Sequence, residues 1–199
     1  MADKDPALDL MERAVAQMAD VIAAIRPDQA ELPTPCENWP VRRVLGHLLG
    51  QILPNFTVAA RGATPDWQAS EEEFGPDWAA EFRTRAAELL AAWHSADLDG
   101  EAPVPGGGTA PLRARTDQQI TEFAMHAWDL TRATGQDREL DPELAEHGLA
   151  WSKRIFEPEF RGTGKAFGLE IPVPDDASAY DRLAGWFGRD PHWKPGLTG

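Results

Sequence analysis

The chain has 199 residues, a formal net charge of −14 at pH 7 and a single cysteine, Cys36. This length suits one domain with a buried core, and the negative charge argues against nucleic acid or an anionic membrane as a partner, because the summed field repels phosphate. One cysteine excludes an internal disulfide, and the acidic start MADKDPALDL, with no apolar run of about 20 residues, indicates neither a secretion signal nor a membrane span. We therefore expect a cytoplasmic protein.

Two amphipathic helices are predicted in the N-terminal third of the chain. The first begins at Pro6 with Asp5 as its N-cap, carries apolar residues at helical spacing, and ends before Pro27. The second begins at Val41 and fades near Gly62. Its apolar face consists of Leu45, Leu48, Leu49, Ile52 and Phe56. Within this second helix, a proline at position 54 predicts a kink.

The rest of the chain alternates helices with long connections. Further helices are predicted at residues 76–95, at 116–134, from 142 onward and at 178–187. Gly135 is placed to end the fourth helix as a C-cap, and the Pro- and Gly-rich segment 97–112 indicates a loop or a short irregular hairpin.

These elements predict an all-α fold. Four long helices with uneven connections indicate a bundle with at least one long crossover, and no segment shows the alternation of a strand. We expect residues 1–140 to form the bundle and residues 141–199 to form a helical extension that packs on it within the same domain.

Three side chains of this predicted bundle suggest a metal site. Glu122 and His126 are four residues apart on the fourth helix, so they lie on one face of it, and His47 lies beside the apolar face of the second helix. If the two apolar faces pack together, two imidazoles and one carboxylate converge and leave a coordination position open, as in catalytic metal sites. The competing interpretation is ordinary: a core histidine and a surface Glu/His pair at helical spacing.

Three further polar residues are candidates for orienting the ligands or lining a pocket. Gln51 and Asn55 follow His47 at helical spacing, and Asp129 follows His126 by three residues. Metal ligands need such orienting partners. Cys36, in contrast, is interpreted as a structural thiol, because no histidine near it in sequence could lower its pKa.

Parts of the sequence resemble a known family. The segments TPCENWPVRRVLGHLLG, TEFAMHAWDLTRATGQD and DASAYDRLAGWFGRDPHW occur in order and carry the resemblance from Leu32 onward. They are similar to the actinobacterial family built on the N-terminal domain of mycothiol-dependent maleylpyruvate isomerase, within the DinB-like superfamily. The resemblance implies an up-up-down-down four-helix bundle that holds a divalent ion through His47, Glu122 and His126.

The resemblance also implies thiol chemistry. We expect Zn²⁺ as the metal, with Ni²⁺ or Fe²⁺ as alternatives, and mycothiol or a similar small thiol as co-substrate of a transferase or isomerase that acts on a small electrophile. The full isomerase carries a further C-terminal domain where this chain has a short tail, so maleylpyruvate isomerisation itself is not expected. The alternatives are a non-catalytic metal-binding or regulatory module and a metal-activated hydrolase with Asp129 as base. A monomer or a homodimer is expected.

Overall fold

Helices make up nearly all of the regular structure. The computed structural model describes residues 5–67, 74–104, 107–155, 161–162 and 167–195. In chain order its helices are α1 (Pro6–Ala23), α2 (Val41–His47), α3 (Leu53–Ala60), α4 (Trp78–Ser95), α5 (Leu112–Thr134), α6 (Pro142–Ile155) and α7 (Ala179–Trp186). Within these residues the one sheet is an antiparallel hairpin of β1 (Glu101–Pro103) and β2 (Thr109–Pro111), so the all-α prediction is confirmed.

The second predicted helix is continuous but contains a π-helical turn. This turn, Leu48–Ile52, joins α2 to α3, and inside it the Leu53 N–H donates to the Leu48 carbonyl five residues back. Pro54 follows immediately; it has no N–H for the carbonyl four residues before it, and its ring clashes with that turn. Widening of the preceding turn relieves both problems. The kink expected at Pro54 therefore takes the form of a π turn.

Local sequence signals set the start of α1 and the end of α5. Asp5 caps α1 by accepting a hydrogen bond from the Ala7 N–H at 2.9 Å. Helix α5 ends at Gly135, whose φ of 66° is the left-handed conformation that glycine adopts without strain. Helix α5 begins at Leu112, four residues earlier than predicted, because the hairpin leads directly into it.

Helices α1, α2–α3, α4 and α5 enclose the hydrophobic core, and α6 and α7 extend it on the outer side of α5. The largest completely buried side chains are Trp93, Phe56, Phe82, Phe123, Met11 and Met18. Helix α6 lies very close to α5, since a Cβ at Gly148 would come within 3.1 Å of the Thr121 hydroxyl oxygen. None of the described helices is both long enough and apolar enough to cross a bilayer.

The C-terminal tail, residues 167–195, contains α7 and turns back onto the bundle just after this helix. Gly188 has a φ of 78°, and a Cβ there would lie 2.7 Å from the Gly168 Cα, so both the conformation and the close approach require glycine. This turn is closed by a hydrogen bond from the Arg189 N–H to the Ala184 carbonyl. As a result the Arg189 side chain enters the bundle instead of solvent, with 11% of its surface exposed.

Candidate metal centre

The three predicted ligands meet between α2 and α5. His47 is the last residue of α2, and Glu122 and His126 lie one turn apart on α5. One donor atom from each lies within 4.8 Å of the others. The Glu122 Oε2 is 3.9 Å from the His47 Nε2 and 3.5 Å from the His126 Nε2. Ligands about 2.1 Å from a tetrahedral ion lie roughly 3.4 Å apart, so this spacing suits a divalent cation.

Each histidine is fixed through its other ring nitrogen. The His47 Nδ1 lies 2.8 Å from the Gln51 Oε1, and the His126 Nδ1 lies 3.0 Å from the Asp129 Oδ2. Both partner atoms are acceptors, so each Nδ1–H donates and each Nε2 points toward Glu122. The structure thus places Gln51 and Asp129 beside the triad as orienting partners.

Asp129 itself is held by an arginine from the tail. Its side chain is completely buried, and its two oxygens accept hydrogen bonds from the Arg189 Nη2 at 3.1 Å and Nε at 3.3 Å. Burial raises the pKa of Asp129, but Arg189 and the hydrogen bond from His126 outweigh it and lower the pKa below its usual value. The tail is therefore part of the support of His126.

The charges of the triad depend on one another. Burial raises the pKa of Glu122, yet the neighbouring imidazoles of His126 and His47 outweigh it, so the carboxylate is ionised at neutral pH. Burial lowers the pKa of His126, and its bonds to Asp129 and Glu122 more than reverse this. A cation at this position would compete with a proton for the His126 Nε2.

The loop before α2 covers the outer side of the triad. The Trp39 ring is stacked on the His126 ring, with centroids 6.3 Å apart, and meets the His47 ring edge-on at 5.0 Å. The loop conformation is fixed by the Thr34 hydroxyl, which donates to the Trp39 carbonyl at 2.7 Å. The Arg43 guanidinium lies over the indole at 4.7 Å. Trp39 thereby shields both imidazoles from water on this side.

On its other side the triad faces a cavity of about 530 Å³. The walls come from α5, α6, β2 and the tail. Besides the three triad residues, the cavity is lined by Ala110, Ala114, Arg115, Gln118, Thr121, Met125, Trp151, Ile155, Phe167, Phe187 and Arg189. Three candidate ligands, two of them imidazoles held through their other ring nitrogen, thus lie beside a cavity, as ligands do in reactive metal sites.

A family model described as the mycothiol maleylpyruvate isomerase N-terminal domain matches residues 11–131. The chain belongs to this family. Two uncharacterized proteins of Mycobacterium tuberculosis, one from strain CDC 1551 and one from strain H37Rv, are each 34% identical to it over 182 residues, which is 89% of this chain and 94% of theirs.

Solved structures agree with the family assignment at the level of the fold. The crystal structure of the mycothiol-dependent maleylpyruvate isomerase matches with a TM-score of 0.55 and 20% identity, over 72% of this chain and 66% of that one. A histidine-to-alanine mutant of the isomerase matches with the same TM-score and 17% identity. This chain thus spans just under two thirds of the isomerase. The DinB-like up-up-down-down bundle predicted from the sequence is confirmed.

Two other residues singled out in the sequence lie in different surroundings. Asn55 forms two hydrogen bonds with the backbone of Asp66, at 2.8 and 3.1 Å, which tie the segment after α3 to that helix. The structure does not bring Asn55 into the wall of the cavity. Burial raises the pKa of the Cys36 thiol to about 11, so it remains protonated at neutral pH, in agreement with a structural role.

Neither arginine of the cavity, Arg189 or Arg115, was predicted from the sequence. A signal for Arg189 was present, because a buried Asp129 needs a cationic partner and the resembling tail segment contains an arginine. For Arg115 the signal was its spacing of seven residues before Glu122, which places it on the Glu122 face because α5 begins at Leu112 and not at residue 116 as predicted. Neither signal shows how far the arginine lies from the triad, because the tail positions Arg189 and the hairpin sets the start of α5 that carries Arg115.

Proposed function

We propose that this protein is a divalent-metal-dependent transferase or isomerase that uses a small thiol, of the mycothiol type, to act on a small electrophile. The convergence of His47, Glu122 and His126 on the wall of a cavity carries this proposal. Two Nε2 atoms and one carboxylate oxygen within 4.8 Å form the donor set of a metal centre that keeps an open position.

The donor set fits several divalent cations. Two imidazoles and one carboxylate suit Zn²⁺, and they also suit Fe²⁺ and Ni²⁺. We favour Zn²⁺, because it binds thiolate well and has no redox chemistry to divert the thiol. A bound cation lowers the pKa of a thiol beside it and so supplies a nucleophile at neutral pH.

Three observations support an external thiol. The family is that of a mycothiol maleylpyruvate isomerase N-terminal domain, and a cavity of about 530 Å³ adjoins the triad. The chain's own cysteine, Cys36, is partly buried and does not line this cavity. We do not assign the substrate of the solved isomerase to this protein, because this chain spans 66% of that enzyme.

The residues of the chain have separable tasks in this chemistry. Gln51 and Asp129 keep the two Nε2 atoms pointed at a common centre, Arg189 keeps Asp129 ionised, and Trp39 excludes water behind the imidazoles. The cavity, on the side of the triad away from Trp39, gives the thiol and the electrophile access to the three ligands. Such fixed geometry lowers the reorganisation needed to bring the two reactants together.

The hydrolase alternative is not favoured by the surroundings of Asp129. This carboxylate was the base that such a reaction would need, and in the folded protein its oxygens are engaged by His126 and Arg189. It is also absent from the cavity wall, where Glu122 is the only carboxylate among the described residues. A base held in two ion pairs and kept at a lowered pKa is poorly placed to accept a proton from water.

The metal half of the proposal is tested by elemental analysis of the purified protein. We expect one equivalent of divalent metal in the wild type and less than a tenth of that in His126→Ala, with circular dichroism showing an intact helical fold. His94→Ala is the matched control, since His94 lies at the end of α4 and pairs with Glu12 outside the site. Full metal content in His126→Ala would refute the assignment.

The thiol half is tested by turnover of monobromobimane with mycothiol, with cysteine and with no thiol. We expect acceleration above the uncatalysed rate with mycothiol in the metal-loaded wild type, and loss of this acceleration in His126→Ala. Hydrolysis of p-nitrophenyl acetate without thiol would support a hydrolase instead. Stoichiometric metal with no turnover in either assay would support a non-catalytic binding module.

A further inference from the structure

The cavity contains a second charged feature that the metal centre does not use. Arg115, on the first turn of α5, lines the same cavity as the triad. Its Nη1 donates to the Gln118 Oε1 at 2.7 Å, which holds the guanidinium along the cavity wall. Its Nε is buried and makes no hydrogen bond to protein.

Arg115 differs from the other cavity arginine in having no counter-ion among the residues that the structure describes. Arg189 is neutralised by Asp129, whereas no described carboxylate lies within ion-pair distance of Arg115. Burial lowers the pKa of the Arg115 guanidinium, and no acidic side chain in the described part of the chain offsets this. In a chain with a net charge of −14, a cavity cation without a described counter-ion is unusual. A carboxylate is the natural partner of such a partly buried guanidinium, because two of its parallel N–H groups can donate to the two carboxylate oxygens.

The distance between Arg115 and the triad sets the length of a bound molecule. Arg115, Gln118 and Glu122 lie at helical spacing on one face of α5. Seven residues separate Arg115 from Glu122, which corresponds to about 10.5 Å along the helix axis. A molecule whose carboxylate contacts Arg115 therefore presents to the metal centre a carbon that is several bonds away from the carboxylate.

The wall between these two points is mostly apolar. Its largest side chains are Met125 of α5, Trp151 and Ile155 of α6, and Phe167 and Phe187 of the tail, and its polar members include Thr121 and the Asp129-paired Arg189. Aromatic and aliphatic side chains of this kind recognise a hydrocarbon or ring surface, at roughly 25 cal/mol for each Å² of apolar surface buried. They offer no partner for a second charged group midway along the molecule.

We propose that the cavity binds an apolar monocarboxylic acid, with its carboxylate on Arg115, its hydrocarbon or ring portion against the α6 and tail side chains, and its distal end at the triad. In naming a substrate class for the cavity, we rely on the proposed function only for the reaction at that distal end. Binding of the acid itself depends on Arg115 and on the apolar wall.

The test is isothermal titration calorimetry with hydrocinnamate, the neutral hydrocinnamic amide and maleate. The titrations use wild-type protein freed of metal and dialysed free of chelator, so that no cation competes for the carboxylates. We expect hydrocinnamate to bind at least ten-fold more tightly than its amide, because a charge-assisted pair is lost. We also expect it to bind at least ten-fold more tightly than maleate, which has a second charge and little apolar surface.

Variants of Arg115 separate the charge from the fold. Arg115→Gln should weaken hydrocinnamate binding at least ten-fold and leave amide binding within two-fold, and Arg115→Lys should recover part of the loss. Arg83→Gln, on the exposed surface of α4, makes the same change in net charge outside the cavity and should have no effect. Equal affinity of the wild type for hydrocinnamate and its amide, or unchanged hydrocinnamate affinity in Arg115→Gln, would overturn the proposal.

The same titration in His126→Ala distinguishes this proposal from the proposed function. Arg115 lies about three turns of helix from His126, so the variant should bind hydrocinnamate within three-fold of the metal-free wild type. Binding that persists in a protein without metal or turnover would leave the acid site standing while the metal-dependent reaction failed. Loss of hydrocinnamate binding in folded His126→Ala would show that Arg115 and the apolar wall do not suffice, and would overturn the acid site.

Discussion

The two histidines of the candidate centre are supported in different ways. His47 forms a hydrogen bond with a neutral amide, Gln51, which lies in the π turn of the same helix. Of the His47 side chain, 15% is exposed. His126 forms a hydrogen bond with Asp129, a completely buried carboxylate. Asp129 is neutralised by Arg189, which lies sixty residues later in the tail. The first support is local and uncharged, whereas the second is charged and long-range.

This difference indicates how the centre depends on the rest of the fold. The His47 support forms with the second helix and needs nothing else. The His126 support exists only when the turn at Gly188 carries Arg189 into the bundle. Buried ion pairs contribute little net stability, but removal of one partner is costly. Docking of the tail and orientation of His126 should therefore be coupled, and substitutions on this side should have the larger effects.

Asp129→Ala is expected to have the largest effect. It frees the His126 ring and leaves the Arg189 guanidinium buried without its counter-ion. We expect metal affinity to fall about 10- to 100-fold, as for other orienting carboxylates, and the free energy of unfolding of the metal-free protein to fall by about 3–5 kcal/mol. Competition with a chromogenic chelator measures the affinity, and urea denaturation measures the stability.

Asp181→Ala is the matched control for this substitution. Asp181 pairs with Arg132 at 3.2 Å, and both side chains are partly exposed, so the loss should not exceed about 1 kcal/mol. Equal destabilisation by the two variants, with unchanged metal affinity in Asp129→Ala, would show that the buried pair does not support the centre.

Arg189→Met is expected to have an intermediate effect on metal and a distinct dependence on pH. Asp129 remains to orient His126, so metal affinity should fall less than ten-fold. In the wild type the lowered pKa of Asp129 provides stability that is present above its unfolded pKa of about 4 and is lost as the pH falls through the folded pKa. Without Arg189 that pKa rises, so acid unfolding of the metal-free variant should begin at a higher pH.

The double variant Asp129→Ala with Arg189→Met tests whether the two residues act as one unit. Removal of both charges leaves no buried ion unpaired, so the double variant should be more stable than the sum of the single losses predicts, by at least about 1 kcal/mol. Urea denaturation of the four metal-free proteins gives this coupling free energy. Strictly additive losses would contradict a shared role.

Gln51→Ala is expected to have a smaller effect than either substitution on the His126 side. It removes one hydrogen bond to a partly exposed imidazole, so metal affinity should fall by less than ten-fold and stability by about 1 kcal/mol. Gln51→Glu gives His47 the carboxylate partner that His126 already has, which should restore the affinity at least to the wild-type value. A larger loss of metal in Gln51→Ala than in Asp129→Ala would reverse the proposed order of the two supports.

Most of the fold and the three ligands could be predicted because their signals are local. The Asp5 cap, the left-handed Gly135 and the four-residue spacing of Glu122 and His126 each depend on a few neighbouring residues. His47 was paired with them through the packing of two apolar faces, which is also what the structure uses. Helical periodicity carries this information directly.

The supports of the centre were harder to predict, because they depend on tertiary contacts. Arg189 reaches Asp129 only through a glycine turn, and Trp39 covers both imidazoles only when the loop before α2 folds over them. Asn55, in contrast, was predicted near the site because it follows Gln51 at helical spacing. The π turn intervenes between them, and the Asn55 side chain forms hydrogen bonds with the Asp66 backbone. Spacing on one helix does not specify what approaches from the other elements.

Cys36→Ser is expected to have the smallest effect on the centre. Cys36 lies in the loop that carries Trp39, and its backbone N–H donates to the Thr34 hydroxyl, a contact that serine preserves. Cys36 does not belong to the described group of converging ligand atoms, and burial raises the pKa of its thiol to about 11. Elemental analysis of Cys36→Ser should therefore give metal content within a tenth of the wild type, with bimane turnover retained. Loss of most of the metal would mean that this thiol supports the centre directly, and the comparison of the two histidines would have to include a third contributor.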